Sequence, residues 1–150
     1  MLEVRQAQAA DLAELQEIAA AAYSVYTPRI GRPAAPVSAD YAGAIGRGEV
    51  WVAAGDGEIA GLLVLIARPD HLMLENIAVR PSAQGLGVGS ALLDLADREA
   101  ARLGRTEIRL YTNVVMTENL AWYPRRGYTE THRAEQDGYQ RVFFSRRLSG

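Results

Sequence analysis

A cluster of three alternate glycines in the middle of the chain constrains the fold more than any other feature. Residues 84–90 read Gln-Gly-Leu-Gly-Val-Gly-Ser, with glycine at positions 85, 87 and 89. An apolar run, 71–79, precedes the cluster, and an apolar stripe at helical spacing follows it. The pattern predicts a strand, a glycine turn and a helix whose first N–H groups have no internal partner. Such a helix start suits an anion, in particular a phosphate group.

Strand and helix signals alternate along the rest of the chain. Asp11 and Glu14 indicate a capping box for a first helix, whereas the three prolines of 23–37 predict a loop or a broken helix. Ser38 is the expected cap of a short second helix. An Asp-Gly pair at 56–57, between two apolar runs, predicts a type I′ hairpin.

These signals give the order β-α-α-β-β-β-α-β-α-β-β. It predicts an α/β (α+β) fold with a mixed central sheet of about seven strands and about four helices. The length of 150 residues suits a single domain, 1–150.

Composition excludes several classes of function. A formal net charge of −2 gives no support for a nucleic-acid partner. The absence of Cys excludes disulfides and thiolate metal sites, and with two His we expect no metal. All sixteen basic residues are Arg, which removes the lysine of a P-loop ATPase. No apolar run reaches the roughly 18 residues of a membrane span, so we expect no membrane partner and a cytoplasmic location.

The glycine cluster fits a dinucleotide fingerprint poorly. That fingerprint would place Ser90 where a third glycine or alanine belongs. It also needs an acidic residue after the next strand, where the chain has Thr112 and Asn113. A nicotinamide enzyme is therefore a weak alternative.

Two segments resemble one known family. The first is the motif Val79-x-Pro81-x-x-Gln84-Gly85-x-Gly87-Val88-Gly89, followed by Leu92-Leu93. It closely resembles the acyl-CoA pyrophosphate loop of GCN5-related N-acetyltransferases. The second segment, 119–128, resembles another family signature, with Tyr123 four residues before a Gly-aromatic pair. The predicted element order resembles the family fold along essentially the whole chain.

The resemblance implies acetyl-CoA as cofactor and a primary amine of a small molecule or peptide as acceptor. It also implies two central strands that splay apart at the acyl-CoA slot. Relatives often pair, which makes a homodimer one option. The alternative function is a non-catalytic acyl-CoA-binding or regulatory module, which would bind the cofactor without turnover.

Most of the implied cofactor contacts are backbone contacts. Ile77, Ala78 and Val79 would pair with the pantetheine arm like an added strand. Loop amides would hold the pyrophosphate, namely those of Gln84, Gly85, Leu86, Gly87, Val88, Gly89 and Ser90. Met116 replaces the usual family Asn, so Asn113 or Asn119 is expected to bond the pantetheine arm, with Asn119 preferred.

Tyr123 and Glu75 are the candidate catalytic residues. The resemblance places Tyr123 at the thioester sulfur, where a phenol can protonate the leaving thiolate. A lysine-like amine has a pKa near 10.4, so Glu75 would accept its proton directly or through water. Alternation places Glu75 on the face of Ile77 and Val79, and a backbone N–H near Ile77 would stabilise the oxyanion.

Each catalytic candidate has a structural alternative. Glu75 would otherwise be a rim carboxylate paired with Arg, and Tyr123 a core aromatic residue. Pro124 stands where the family has a helix former, so we expect a late helix start or a tilted Tyr123.

The segment 23–32 falls where relatives place acceptor contacts. Its Tyr26, Arg29 and Arg32 are the candidate substrate residues. Because arginine binds carboxylates through a bidentate fork, we hypothesise an acceptor amine that also carries a carboxylate. The alternative is a solvated surface loop.

Overall fold

Seven β-strands and five α-helices form residues 2–148, the part of the chain that the computed structural model describes. The strands are β1 (Glu3–Gln6), β2 (Val50–Gly55), β3 (Glu58–Ala67), β4 (Leu72–Val79), β5 (Glu107–Asn113), β6 (Thr129–Gln136) and β7 (Tyr139–Arg147). The helices are α1 (Leu12–Tyr23), α2 (Thr27–Ile30), α3 (Tyr41–Gly46), α4 (Val88–Arg102) and α5 (Thr117–Arg125). To the predicted order the structure adds only the single turn of α2.

The strands form one mixed sheet in the order β1-β2-β3-β4-β5-β7-β6. All neighbouring pairs are antiparallel except β4 and β5, which are parallel and connected through α4. Leu92 and Ala96 of α4 belong to one apolar cluster, and Leu15 and Ile18 of α1 belong to another. The two helices bury the apolar stripes that their sequences predict. The predicted fold class is confirmed. None of the helices in residues 2–148 combines the length and apolar character that crossing a bilayer requires.

Turn signals located several boundaries correctly. Asp56 and Gly57 have φ values of 53° and 77°, as a type I′ turn requires. Gly104, at φ 71°, follows the end of α4. The proline-containing stretch between α1 and α3 is broken into short helical turns, as predicted.

The predicted capping box is wrong. The Asp11 carboxylate accepts hydrogen bonds from the Gln8 N–H and from Arg5, each at 2.8 Å. Asp11 therefore caps the preceding 3-10 turn instead of α1. Glu14 accepts a hydrogen bond from the N–H of Ile59 in β3 and thereby joins α1 to the sheet.

One further helix start differs from prediction. Asp40, not Ser38, caps α3, because its carboxylate accepts from the Gly43 N–H at 3.0 Å. α5 begins at Thr117, so of the two effects expected of Pro124 the late start does not occur. Pro124 lies in its last turn, so the backbone hydrogen bond that its missing N–H removes is close to the end of the helix.

β4 and β5 separate halfway along their length. The parallel pairing joins Leu72 to Ile108 and Leu74 to Leu110, and goes no further. Beyond that point β5 keeps β7 as its neighbour and β4 keeps β3, with a gap between them. This gap confirms the predicted splay.

A β-bulge in β4 lies where the gap opens. Consecutive residues of β3 pair with Leu74 and Asn76, so Glu75 is an extra residue. Leu74 and Ile77 consequently belong to the same apolar cluster although they are three residues apart. The expectation that Glu75 shares a face with Ile77 and Val79 assumed unbroken alternation, which the bulge interrupts.

Candidate active site

The glycine loop presents free backbone amides at the start of α4. Gly85 and Gly87 have φ values of 81° and 85°, which favour glycine, and Gly87 is the N-cap of α4. Within residues 2–148, the amides of Gly85, Leu86 and Gly87 donate no hydrogen bond. The first amides of α4, on residues 88–90, have no partner inside the helix. Together these donors and the positive helix end can hold a diphosphate.

An open groove of about 610 Å³ runs along this loop. The end of β4, the glycine loop, α5 and the connection between α1 and α2 form its walls. Nearly all the expected cofactor residues line it, namely Ile77, Ala78, Val79, Gln84, Gly85, Gly87, Val88, Gly89, Ser90 and Asn119. Leu86 does not line it and is 71% exposed.

Glycine serves two different purposes along the groove. A Cβ on Gly89 would lie 3.1 Å from the ring of Trp122, so this glycine permits close packing of α4 on α5. A Cβ on Gly85 or Gly87 would meet no atom within 4 Å, so only the positive φ requires glycine there. No other side chain of residues 2–148 therefore packs on the loop at Gly85 and Gly87, and their amides are open to a ligand. Arg125 of α5 also lines the groove and adds a positive charge.

A second space, which we call the cavity, has a volume of about 280 Å³. Tyr23, Ile77 and Asn119 line both the groove and the cavity, so the two meet at the gap between β4 and β5. Glu75 and Tyr123 line the cavity. Ligands in the two spaces would therefore meet beside both candidate catalytic residues.

Glu75 lies at the bulge of β4, and its carboxylate accepts a hydrogen bond from the Tyr111 hydroxyl at 2.9 Å. Burial, and then the charge of Glu75, raise the pKa of Tyr111 to about 12, so this phenol stays a donor near neutral pH. Among the described residues Glu75 forms no ion pair, which disagrees with the alternative of a rim carboxylate paired with Arg. With one neutral partner, the carboxylate keeps lone pairs free to accept a proton.

Tyr123 is 4% exposed and packs among aromatic rings. Its ring centroid lies 5.1 Å from that of Trp122 and 5.7 Å from those of Tyr128 and Phe144. Burial raises the pKa of Tyr123 well above its usual value. Its hydroxyl has no hydrogen-bond partner in the described part of the chain, and the residue borders the cavity. Tyr123 is thus a core aromatic residue that also offers a protonated phenol.

Asn119 and Asn113 occupy different places. Asn119 Nδ2 donates to Thr112 Oγ1 at 3.1 Å, and the residue lines both spaces. The Asn113 side chain accepts from the Val115 N–H, and the residue lines only the cavity. Position therefore favours Asn119 for a contact with the pantetheine arm.

The three expected substrate residues do not line the cavity, and their role stays a prediction. Tyr26 lines the groove. Arg29 forms an exposed ion pair with Glu118 of α5 at 2.8 Å. Arg32 stacks on the ring of Tyr139, 3.7 Å from its centroid. Both arginines are held by partners distant in sequence, which inspection of the local segment could not show.

Two features of the cavity were missed. Tyr23 donates to Asn76 at 2.6 Å, and Asn76 donates to Tyr41 at 2.7 Å, in a buried chain of hydrogen bonds. A polar Asn in an apolar strand was a visible signal, because buried polar groups need partners. Arg141 of β7 also lines the cavity, with its guanidinium 4.2 Å from the centre of the Tyr111 ring. The sequence gives no signal for it, since arginines are mostly exposed.

Comparison with known families agrees with this geometry. The profile of the Acetyltransferase (GNAT) domain matches residues 46–130, more than half of the chain. The chain therefore belongs to the GNAT acetyltransferase domain family, and the resemblance of its glycine motif is confirmed.

Individual relatives match the chain to different extents. An uncharacterized N-acetyltransferase of Bacillus subtilis (strain 168) is 35% identical over 83 residues, which are 55% of this chain and 54% of that protein. The crystal structure of nourseothricin acetyltransferase matches with a TM-score of 0.62 and 30% identity, over 67% of this chain and 65% of that one. The match thus spans less than two thirds of each of these two relatives.

A likeness in fold alone extends along the whole chain. PaiA N-acetyltransferase from Thermoplasma acidophilum, solved in complex with coenzyme A, matches with a TM-score of 0.79 and 16% identity over 99% of each chain.

Proposed function

We propose that this chain moves an acetyl group from acetyl-CoA to the primary amine of a small molecule or peptide, by direct attack of the amine on the thioester. The observation that carries the proposal is the gap between β4 and β5, where the groove meets the cavity beside Glu75 and Tyr123. Family membership and the names of the relatives support an acetyltransferase. Nothing in them favours a non-catalytic module.

The groove would hold the cofactor mainly through the backbone. Amides of residues 85–90 would bind the pyrophosphate, whereas the expected Gln84 amide already donates to the Pro81 carbonyl at 3.3 Å. The edge of β4 from 77 to 79 would pair with the pantetheine arm, since no strand covers that edge beyond Leu74. Asn119 would bond the same arm from the opposite side of the gap. When bound, acetyl-CoA supplies an acyl group activated as a thioester.

Glu75 would take the proton of the attacking amine. An amine with a pKa near 10.4 is charged at neutral pH and must lose a proton before it can act as a nucleophile. The Glu75 carboxylate lines the cavity and has one neutral partner, Tyr111. Direct transfer and transfer through a water molecule both fit this arrangement.

Tyr123 would return a proton to the departing thiolate. Its raised pKa keeps the phenol protonated at neutral pH, so the proton is present when it is needed. A free thiol has a pKa near 8.5, below that of the buried phenol, so the transfer from Tyr123 to the thiolate is uphill, and the tyrosinate that it leaves regains a proton from solvent. A backbone N–H near Ile77 would stabilise the negative charge on the carbonyl oxygen.

Calorimetry with acetyl-CoA, followed by colorimetric detection of released thiol with a panel of amines, tests the proposal. We expect saturable binding and thiol release that depends on the amine. Tight binding without release for every amine would support the non-catalytic module, and no uptake of coenzyme A would overturn the assignment of the groove. The homodimer and the cytoplasmic location stay predictions from the sequence.

A further inference from the structure

We infer that the acceptor amine also carries a carboxylate or a similar oxyanion, and that Arg141 binds it. The inference rests on the proposed acetyl transfer and names the acceptor class for the same cavity. It assigns the role hypothesised for Arg29 and Arg32 to an arginine that lines the cavity.

Arg141 is a buried cation with incomplete pairing. Its side chain is 7% exposed, whereas the carboxylate of Asp137, at 3.7 Å from Nη1, belongs to a side chain that is 81% exposed. The same Nη1 donates to the side-chain oxygen of Gln136, which carries no charge. Because a buried charge without a close partner is costly, an anion in the cavity would complete the pairing.

The remaining donors of Arg141 are free. A guanidinium has five N–H donors in a planar fork. Among residues 2–148, Nε and Nη2 of Arg141 make no hydrogen bond, yet neither is a fully buried atom. The rings of Tyr111 and Tyr139, with centroids 4.2 and 5.5 Å from the guanidinium carbon, restrict its position. A fixed fork with free donors suits an oxyanion that binds through two oxygens.

Glu75 and Arg141 both contact Tyr111, one at its hydroxyl and the other at the face of its ring. The Tyr111 hydroxyl donates to Glu75, and its ring lies against the Arg141 guanidinium. An acceptor with its amine at Glu75 and its oxyanion at Arg141 would span the tyrosine and match both charges. A polycation recruited by Glu75 and Asp137 fits less well, because the exposed Asp137 is screened by solvent and Arg141 would repel it.

Pairs of amines that differ only in the anion test the inference. The probes are glycine, β-alanine, γ-aminobutyrate and leucine, each with its own carboxamide, and spermidine as a polycation. In the wild-type chain we expect at least one acid to exceed its amide in kcat/KM by about 30-fold. This factor is at the lower end of the loss expected when one partner of a buried charge pair is removed. Arg141→Gln should abolish this preference through KM, and Arg141→Lys should restore part of it. Arg133→Gln, on the exposed face of the same hairpin, is the matched control and should change neither value.

An equal loss for acids and amides in Arg141→Gln, or a wild-type preference for amides or spermidine, would overturn the inference. Calorimetry of the same probes into protein saturated with coenzyme A gives a readout independent of turnover, on variants whose Tm confirms folding. Binding of acids that Arg141→Gln abolishes, without any turnover, would uphold the anion site and refute acetyl transfer. Turnover of amides without binding of any acid would support acetyl transfer and refute the anion site.

Discussion

The groove and the cavity meet at one gap but are built in different ways. The groove offers mainly the backbone of one continuous segment, from the end of β4 through the glycine loop into α4, and α5 and the connection between α1 and α2 complete its walls. The cavity depends on side chains from distant parts of the chain, among them Tyr23 of α1, Glu75 of β4 and Arg141 of β7. A backbone site needs only the right φ angles and small residues, whereas a side-chain site needs the whole fold.

Because of this difference, the members of a family can retain the same cofactor groove while each member varies the acceptor cavity. Backbone amides recognise a diphosphate whatever side chains surround them, so the groove needs few fixed residues beyond its glycines. The cavity can change its acceptor by single substitutions on several elements. Substitutions in the two regions should therefore separate cofactor binding from turnover.

The largest effect is expected for Tyr123→Phe. Loss of the phenol proton should lower kcat by about 100-fold or more, while acetyl-CoA affinity stays nearly unchanged because the ring packing remains. Tyr128→Phe is the matched control, since its hydroxyl is buried and also has no partner in residues 2–148. Steady-state kinetics and calorimetry check both variants. An unchanged kcat in Tyr123→Phe would remove it from the mechanism.

Glu75→Gln should lower kcat by about 100-fold, because the amide cannot take the amine proton. The alkaline-going limb of the kcat/KM profile should shift or flatten in the variant, because the proposed proton acceptor is gone. Tyr111→Phe keeps the carboxylate but removes its hydrogen bond, so we expect a smaller loss. A pH profile with unchanged shape and height in Glu75→Gln would mean that another group is the base.

Gly87→Ala should weaken acetyl-CoA binding by about tenfold, because an L residue at positive φ costs roughly 1–2 kcal/mol and distorts the loop. Gly104→Ala introduces the same strain at φ 71° after the end of α4, outside the groove. Both variants should lose stability in thermal unfolding, and only Gly87→Ala should lose affinity in calorimetry. Equal affinities would show that the groove does not depend on this loop.

The smallest effect on activity is expected for Glu107→Gln, at the paired end of β5. Hydrogen bonds from Arg109 and then Ser145 lower the pKa of Glu107 from 4.5 to about 2. A lowered pKa adds stability above pH 4.5 that is lost as the pH falls toward 2. The variant should therefore melt a few degrees below wild type at pH 7 and show little difference near pH 2.

The exposed Glu135→Gln on β6 is the control for Glu107→Gln and should change neither Tm nor kcat. A Tm difference that persists unchanged at pH 2 would mean that Glu107 stabilises the fold by packing and not by its charge. Any loss of kcat at neutral pH would show that the paired end of β5 affects the gap.

The sequence alone predicted the groove better than the cavity. Periodicity and turn chemistry located the strands and α4, because these signals are local. The splay was predicted from the family resemblance and not from these signals. The bulge at Glu75 was not predictable, since it depends on how β3 pairs with β4. Arg29 and Arg32 were placed in the acceptor site from their segment, but their partners Glu118 and Tyr139 come from the other end of the chain.

The gap between β4 and β5 also links the thermal behaviour of the protein to its ligand. Backbone groups on the open edges of both strands gain partners only when something lies between them. A ligand that binds only the folded chain adds about 2.7 kcal/mol at a concentration one hundred times its Kd. The melting temperature therefore rises with the fraction of the protein that has ligand bound in the groove. Protein without coenzyme A should unfold at a temperature several degrees lower than protein saturated with it.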